Sequence, residues 1–260
     1  LFNNGASEDA YALVKRILEI SLEQKEPKYA AQAYHLLTGY NMHSYAFDKA
    51  FLTGKKALYY YGQHGDTARM RQNVLKIMSN SELLRNNISE SARLLHEMRA
   101  LSDEETAEIL SARVERHLII GEYRAAGEVF RSIEGTDMPQ DPTWGLRFFR
   151  LFWLWSACRF TELREAVGEL RRTEWARNAT FCQMHSWAAT AYYFSGETDA
   201  MSDHLQQAEF YVFHIKNDFD RIDAIRTLAE AQLIVENEEK AEELAKQGLA
   251  IGLRHSSYFP

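Results

Sequence analysis

The sequence predicts an all-α fold, an α-solenoid of about six helix–turn–helix hairpins preceded by one extra helix. Three observations predict it. One phrase occurs twice, as Asp48-Lys49-Ala50-Phe51-Leu52-Thr53-Gly54-Lys55-Lys56-Ala57-Leu58 and as Glu239-Lys240-Ala241-Glu242-Glu243-Leu244-Ala245-Lys246-Gln247-Gly248-Leu249. Each copy carries small residues seven apart, Ala50 with Ala57 and Ala241 with Gly248, where a second helix can approach closely. In 260 residues only four prolines and thirteen glycines interrupt a chain that is 46% hydrophobic and 26% charged, which favours long helices over a loop-rich fold.

Taken in order, residues 8–24 form the extra helix, with Tyr11, Val14, Ile17, Leu18 and Leu22 on one stripe. It caps the stack or completes a repeat. The hairpins then fall at 28–63, 66–101, 103–135, 142–173, 176–216 and 218–254, one array over 1–260. Their second helices are marked by Ala50, Ala92, Ala126, Leu163, Met201 and Ala241, spaced by 42, 34, 37, 38 and 40 positions. Turns inside hairpins show as Gly121-Glu122-Tyr123, Gly196-Glu197-Thr198-Asp199 and Asn86-Asn87-Ile88-Ser89, where glycine or asparagine can take the positive φ that ends a helix. Links between hairpins show as Gln63-His64-Gly65-Asp66, Leu101 to Glu105, Asp137 to Pro142 and Lys216-Asn217-Asp218. Ser102 with Glu105 has capping-box spacing, and Asp141-Pro142 puts proline in a first turn. Leu163 and Met201, bulkier than alanine, are expected to splay their helices.

Composition narrows the function. A net charge of −7 and a pI near 5.8 argue against direct nucleic-acid binding by this segment. Cys158 and Cys182 have no CxxC or histidine partner at ligand spacing and read as buried reduced thiols. The apolar run Trp144 to Trp155 contains Arg147 and Arg150 and is well short of the roughly 20 residues a span needs, so no membrane insertion is expected. The start at Leu1 without a basic-then-apolar leader, and the end at Pro260, suggest a cytoplasmic piece of a larger protein.

Gly54-Lys55-Lys56 lies inside a helix and does not satisfy the phosphate-loop pattern. His35 and His43 flank a helix end without a third ligand, and no metal site or cofactor is expected. Asn87-Ile88-Ser89 and Asn178-Ala179-Thr180 match the glycosylation sequon by coincidence. No catalytic residue is expected, and the chain is read as a non-enzyme.

The turn followed by small residues seven apart resembles the tetratricopeptide repeat family, over nearly the whole chain. Phrases such as Lys56-Ala57-Leu58-Tyr59-Tyr60-Tyr61-Gly62 make it similar to the repeat regions of bacterial signalling proteins. These include peptide-sensing Rap-type regulators, maltose-regulator-like transcription activators and repeat-bearing diguanylate cyclases. The resemblance implies a right-handed solenoid whose first helices line a concave groove for a peptide or protein segment. On that architecture the groove positions are Gln32, His35, Gly39, Ile77, Ser81, Glu108, Ser111 and Glu115, then Arg147, Phe148, Phe152, Trp155, Gln183, Ser186, Thr190, Tyr193, Arg226 and Glu230.

Phe148, Phe152 and Trp155 admit two readings, burial between hairpins or an aromatic platform with Arg147, Arg150 and Tyr193 beside it. The charged face Arg164, Glu165, Glu169, Arg171 and Arg172 is read as solvated. Function is expected to be peptide or protein binding in the sensory or interaction region of a bacterial regulator, with homodimerisation a variant. The alternatives are a structural scaffold for a signalling enzyme, or a Rap-like response-regulator phosphatase, against which the single preceding helix counts.

Overall fold

The structure, a computed structural model, describes residues 7–65, 68–102, 105–133, 145–170 and 178–255. Among these are thirteen helices and no strand. They are α1 (Ser7–Glu23), α2 (Pro27–His43), α3 (Phe47–His64), α4 (Ala68–Leu84), α5 (Ile88–Arg99), α6 (Ala107–Ile119) and α7 (Tyr123–Ser132). Then follow α8 (Gly145–Ser156), α9 (Phe160–Leu170), α10 (Asn178–Phe194), α11 (Thr198–Phe213), α12 (Asp218–Ile234) and α13 (Glu238–His255). The chain divides into two compact units, residues 1–146 and 147–260.

One turn recurs seven times. Lys25, Tyr45, Asn86, Gly121, Cys158, Gly196 and Glu236 all have φ between 54 and 78°. After each, the next residue donates its backbone N–H to the carbonyl five positions back, as in Asn87 N to Glu82 O at 2.8 Å and Glu122 N to His117 O at 2.7 Å. This is the Schellman bond that closes a helix C-terminus on a left-handed residue. The same donor residue then caps the following helix, its carbonyl accepting from the residue four on: Ala50 N to Ala46 O at 2.9 Å, Ala126 N to Glu122 O at 3.1 Å. Helix end, reversal and helix start therefore occupy a few residues, and the partner helix is forced antiparallel.

The residue five positions past the positive φ, which donates this capping bond, is where the two helices touch. Ala30, Ala50, Ser91, Ala126 and Leu163 hold this place and are buried. The sequence marker Ala92 is therefore one position late: Ser91 is the buried residue, its Oγ 2.7 Å from Ser79 Oγ, and Ala92 is exposed. Capping differs from expectation as well. α6 is capped by Thr106, whose Oγ1 accepts from Ile109 N at 3.3 Å, rather than by Ser102. Asp66, Asp103, Glu104, the link 137–142, Trp144, Arg171 and Arg172 lie outside the described residues.

Within the first unit α2 packs on α3, α4 on α5 and α6 on α7, while the first helices α2, α4 and α6 lie side by side. Its core gathers Leu37, Ala57, Tyr61, Leu75, Met78, Leu94 and Met98. Within the second, α10 packs on α11 and α12 on α13, with α10 alongside α12. Cys182, Ala208, Leu228, Leu244 and Ile251 fill that core. Burying each such Leu or Met contributes about 1.5–3 kcal/mol. α3 and α4 meet at Gly54, where an added Cβ would lie 2.5 Å from Met78 Cγ and Sδ.

Cys158, expected to be buried, is exposed because it occupies the left-handed turn position between α8 and α9. A side chain there costs about 1 kcal/mol relative to glycine. Cys158→Gly is expected to raise the urea-unfolding free energy by about 0.5–1 kcal/mol. Gly196→Ala, whose Cβ would meet nothing within 4 Å, isolates the backbone term and should lower it by about 1 kcal/mol. Shifts of the same sign in both variants would refute the turn argument.

Candidate functional site on the first helices

The recurrent turn supplies a common numbering for the first helices. Ser111 and Glu115 stand ten and six positions before Gly121, and the equivalent pairs are His35 and Gly39, Lys76 and Asn80, Phe148 and Phe152, Ser186 and Thr190, and Arg226 and Glu230. The expected Ile77 and Ser81 are thus one residue out of register, the same slip that put the second-helix marker at Ala92. One residue is about 100° of helix rotation. Ile77 is half-buried, and Ser81 is buried with its hydroxyl donating to Ile77 O at 2.9 Å.

In the first unit these positions form a polar seam between α4 and α6. Arg69 Nε donates to Glu108 Oε1 at 2.9 Å. Lys76 Nζ donates to Ser111 Oγ at 2.8 Å and lies 3.8 Å from Glu115 Oε2, while Asn80 Nδ2 donates to Glu115 Oε1 at 2.7 Å. Lys76 and Glu115 side chains are only 17% and 16% exposed, so the pair is largely removed from water. Burial pushes the Glu115 carboxyl above the usual carboxylate range, with Lys76 and the Asn80 hydrogen bond pulling the other way. Ser111, expected to open onto a groove, is buried in this seam. His35 turns toward α3, its Nδ1 3.1 Å from the Tyr61 hydroxyl.

The second unit places an aromatic cluster and a charged group on the equivalent surface. Trp187 of α10, buried at 3% exposure, is the centre. Phe148, Phe152 and Trp155 of α8 stand around it with ring centroids at 5.3, 5.6 and 6.2 Å. All three are half-buried, between the two sequence readings: each ring rests on Trp187 and keeps part of its surface in solvent. Arg147 is exposed on the same helix.

On α12, Arg226 bridges Asp223 and Glu230 at 2.8 and 2.6 Å, and Gln183 Nε2 of α10 donates to Asp223 Oδ2 at 2.6 Å. Ser186 and Thr190, expected in the groove, are buried and donate to Cys182 O and Ser186 O. Their small size lets the neighbouring helices close over α10. Tyr193 is tied to the α12–α13 turn, its hydroxyl donating to Glu236 Oε1 at 3.0 Å, and that bond raises the phenol pKa above its ordinary 10.0.

Trp187, Lys76, Asn80 and Asp223 escaped the sequence reading. Lys76 and Asn80 were recoverable by counting back from Asn86. Trp187 was not singled out, although it is four positions after Gln183 and three before Thr190 and so lies at the edge of the same helix face. Among the described residues no group of three or more His, Cys, Asp or Glu side chains is placed to hold a metal ion. No described helix is long and apolar enough to cross a membrane. Comparison with protein-family models finds none that matches the chain, and comparison with curated proteins finds no match.

Two titrations follow from burial. Burial pushes the Cys182 thiol up to about 12, with the Ser186 hydrogen bond opposing, whereas Cys158 is exposed. A disulfide reagent at pH 8 is expected to label one thiol rapidly, at Cys158, with Cys182 reacting only on unfolding; two fast thiols would contradict the burial. Burial also holds His35 below its ordinary 6.5. Between that lowered value and 6.5 the unfolded chain binds more protons, so the stability contributed by neutral His35 is present above pH 6.5 and is lost as pH falls through the folded value. An NMR titration should place the His35 midpoint below 6.5, and a midpoint at or above it would reverse the sign.

Proposed function

We propose that this chain is a non-catalytic, tetratricopeptide-type repeat region that binds a peptide or protein segment on its first helices, as the sensory or interaction part of a larger cytoplasmic bacterial regulator. One observation carries the reading: Phe148, Phe152 and Trp155 are half-buried rings packed around a buried Trp187, each keeping part of its surface in solvent. Aromatic anchors that lose little side-chain entropy on binding dominate interface energetics. The Arg226 group on α12 offers a polar partner of both signs within the same unit. The acidic balance of the chain supports a protein over a nucleic-acid ligand. Because neighbouring hairpins touch mainly one another, a segment bridging several of them would shift their relative angles and transmit the event to fused domains.

The test is a displayed peptide library selected on the wild-type chain, with the selected peptide measured by fluorescence anisotropy. Phe152→Ala and Trp155→Ala are each expected to weaken it by about 2 kcal/mol, roughly thirtyfold, with helical circular dichroism unchanged. A library without binders, or variants that bind like wild type, would set the reading aside.

A second reading, self-association, is favoured by α1, where Leu13, Ile17 and Ile20 are exposed along one side. Sedimentation velocity decides it: a dimer in wild type lost in Ile17→Asp supports it, and a monomer at high micromolar concentration dismisses it.

A further inference from the structure

Away from the first-helix surface, α10 and α11 enclose an open cleft of about 580 Å³, lined by Phe181 and His185 from α10 and by Asp203, Gln206, Gln207 and Tyr211 from α11. This volume is within the range of small-molecule sites. Asp203, Gln207 and Tyr211 are four apart and share one stripe of α11. Three rings form its wall: Tyr211 stacks on Phe181 at 5.0 Å and on His185 at 5.7 Å. The wall is braced from behind, because His185 Nδ1 lies 2.9 Å from His204 Nδ1, both histidines are buried, and Tyr192 stacks on His204 at 5.1 Å.

The polar lining is one-sided. Asp203 supplies a carboxylate, Gln206 and Gln207 supply amide oxygens, and among the described residues no Lys or Arg lines the cleft. Asp203, Gln206 and Gln207 make no hydrogen bond or ion pair to another described residue, so their acceptors face solvent. A carboxylate with neutral acceptors beside an aromatic wall is complementary to a cation carried on an apolar stem.

We propose that this cleft binds a small organic cation, an alkylguanidinium or alkylammonium, with the charged head at Asp203 and the stem against Phe181 and Tyr211. Such a group can come from a free amine or from a basic side chain of a bound polypeptide. The site is independent of the aromatic surface on α8.

The experiment is isothermal titration calorimetry of the whole chain with agmatine, with acetyl-arginine amide and with acetyl-citrulline amide, the neutral isostere. At least one of the two cations should bind, with the citrulline compound at least about tenfold weaker. Binding of agmatine alone identifies a free amine, and binding of acetyl-arginine amide identifies a peptide side chain. Asp203→Asn, an exposed substitution, should weaken the cation at least about tenfold, and Gln207→Leu should weaken it less. Phe152→Ala should leave it unchanged, separating this site from the one on α8. Absence of heat with both cations at millimolar concentration, equal binding of the citrulline compound, or an unchanged affinity in Asp203→Asn would overturn the proposal.

Discussion

Every hairpin in this protein depends on a residue that turns left-handed at the end of a helix. Once it does, two backbone donors find acceptors in the last turn, and the following residue is already positioned to cap the next helix. The bond lengths hardly vary from turn to turn, although the residues involved range from glycine to tyrosine and glutamate. Of the seven turn residues, Gly121 and Gly196 adopt the conformation without a Cβ penalty. At Lys25, Tyr45 and Glu236 the burial of the small-residue contact between the paired helices, and at Cys158 the burial of Leu163, outweighs roughly 1 kcal/mol of backbone cost.

The turn also fixes rotation, and rotation decides which side chains meet. Between α4 and α6 the side chains ten and six positions before the turn face one another, so chemistry at these places serves as the seam. In α4 and α6 the seam is ionic and amide. A largely buried Lys–Glu pair adds little net stability, because desolvation offsets attraction, but a slipped helix would leave Glu115 and Lys76 unpaired. The seam therefore acts against wrong registers more than it strengthens the right one. In α8 the same places carry phenylalanines, and in α10 they carry Ser186 and Thr190, which close on themselves by hydrogen bonds to the preceding turn.

That contrast concentrates the accessible first-helix chemistry of the second unit on α8 and α12. α10 contributes the support: Trp187 beneath the α8 aromatics, Gln183 holding Asp223, and Tyr193 anchored on Glu236. Its opposite face supplies Phe181 and His185 to the α11 cleft. One helix, buried along most of its length, thus positions two chemically different surfaces without presenting much of either.

The sequence by itself determined the all-helical class and the turns at Asn86, Gly121 and Gly196, because small residues seven apart and local helix-ending signals act over a few residues and need no distant partner. It also identified Glu108, Ser111, Glu115, Gln183 and Arg226 as first-helix positions, by counting back from the turns at Gly121, Gly196 and Glu236. At the Asn86 turn the count slipped by one and missed Lys76 and Asn80. Only the tertiary structure decided what was exposed. Whether Phe152 is core or surface depends on whether Trp187 reaches it, and whether Ser186 opens or closes depends on how nearly its neighbours approach. Burial is a property of distant pairs, and a periodic stripe records which way a side chain points but not what stands opposite it.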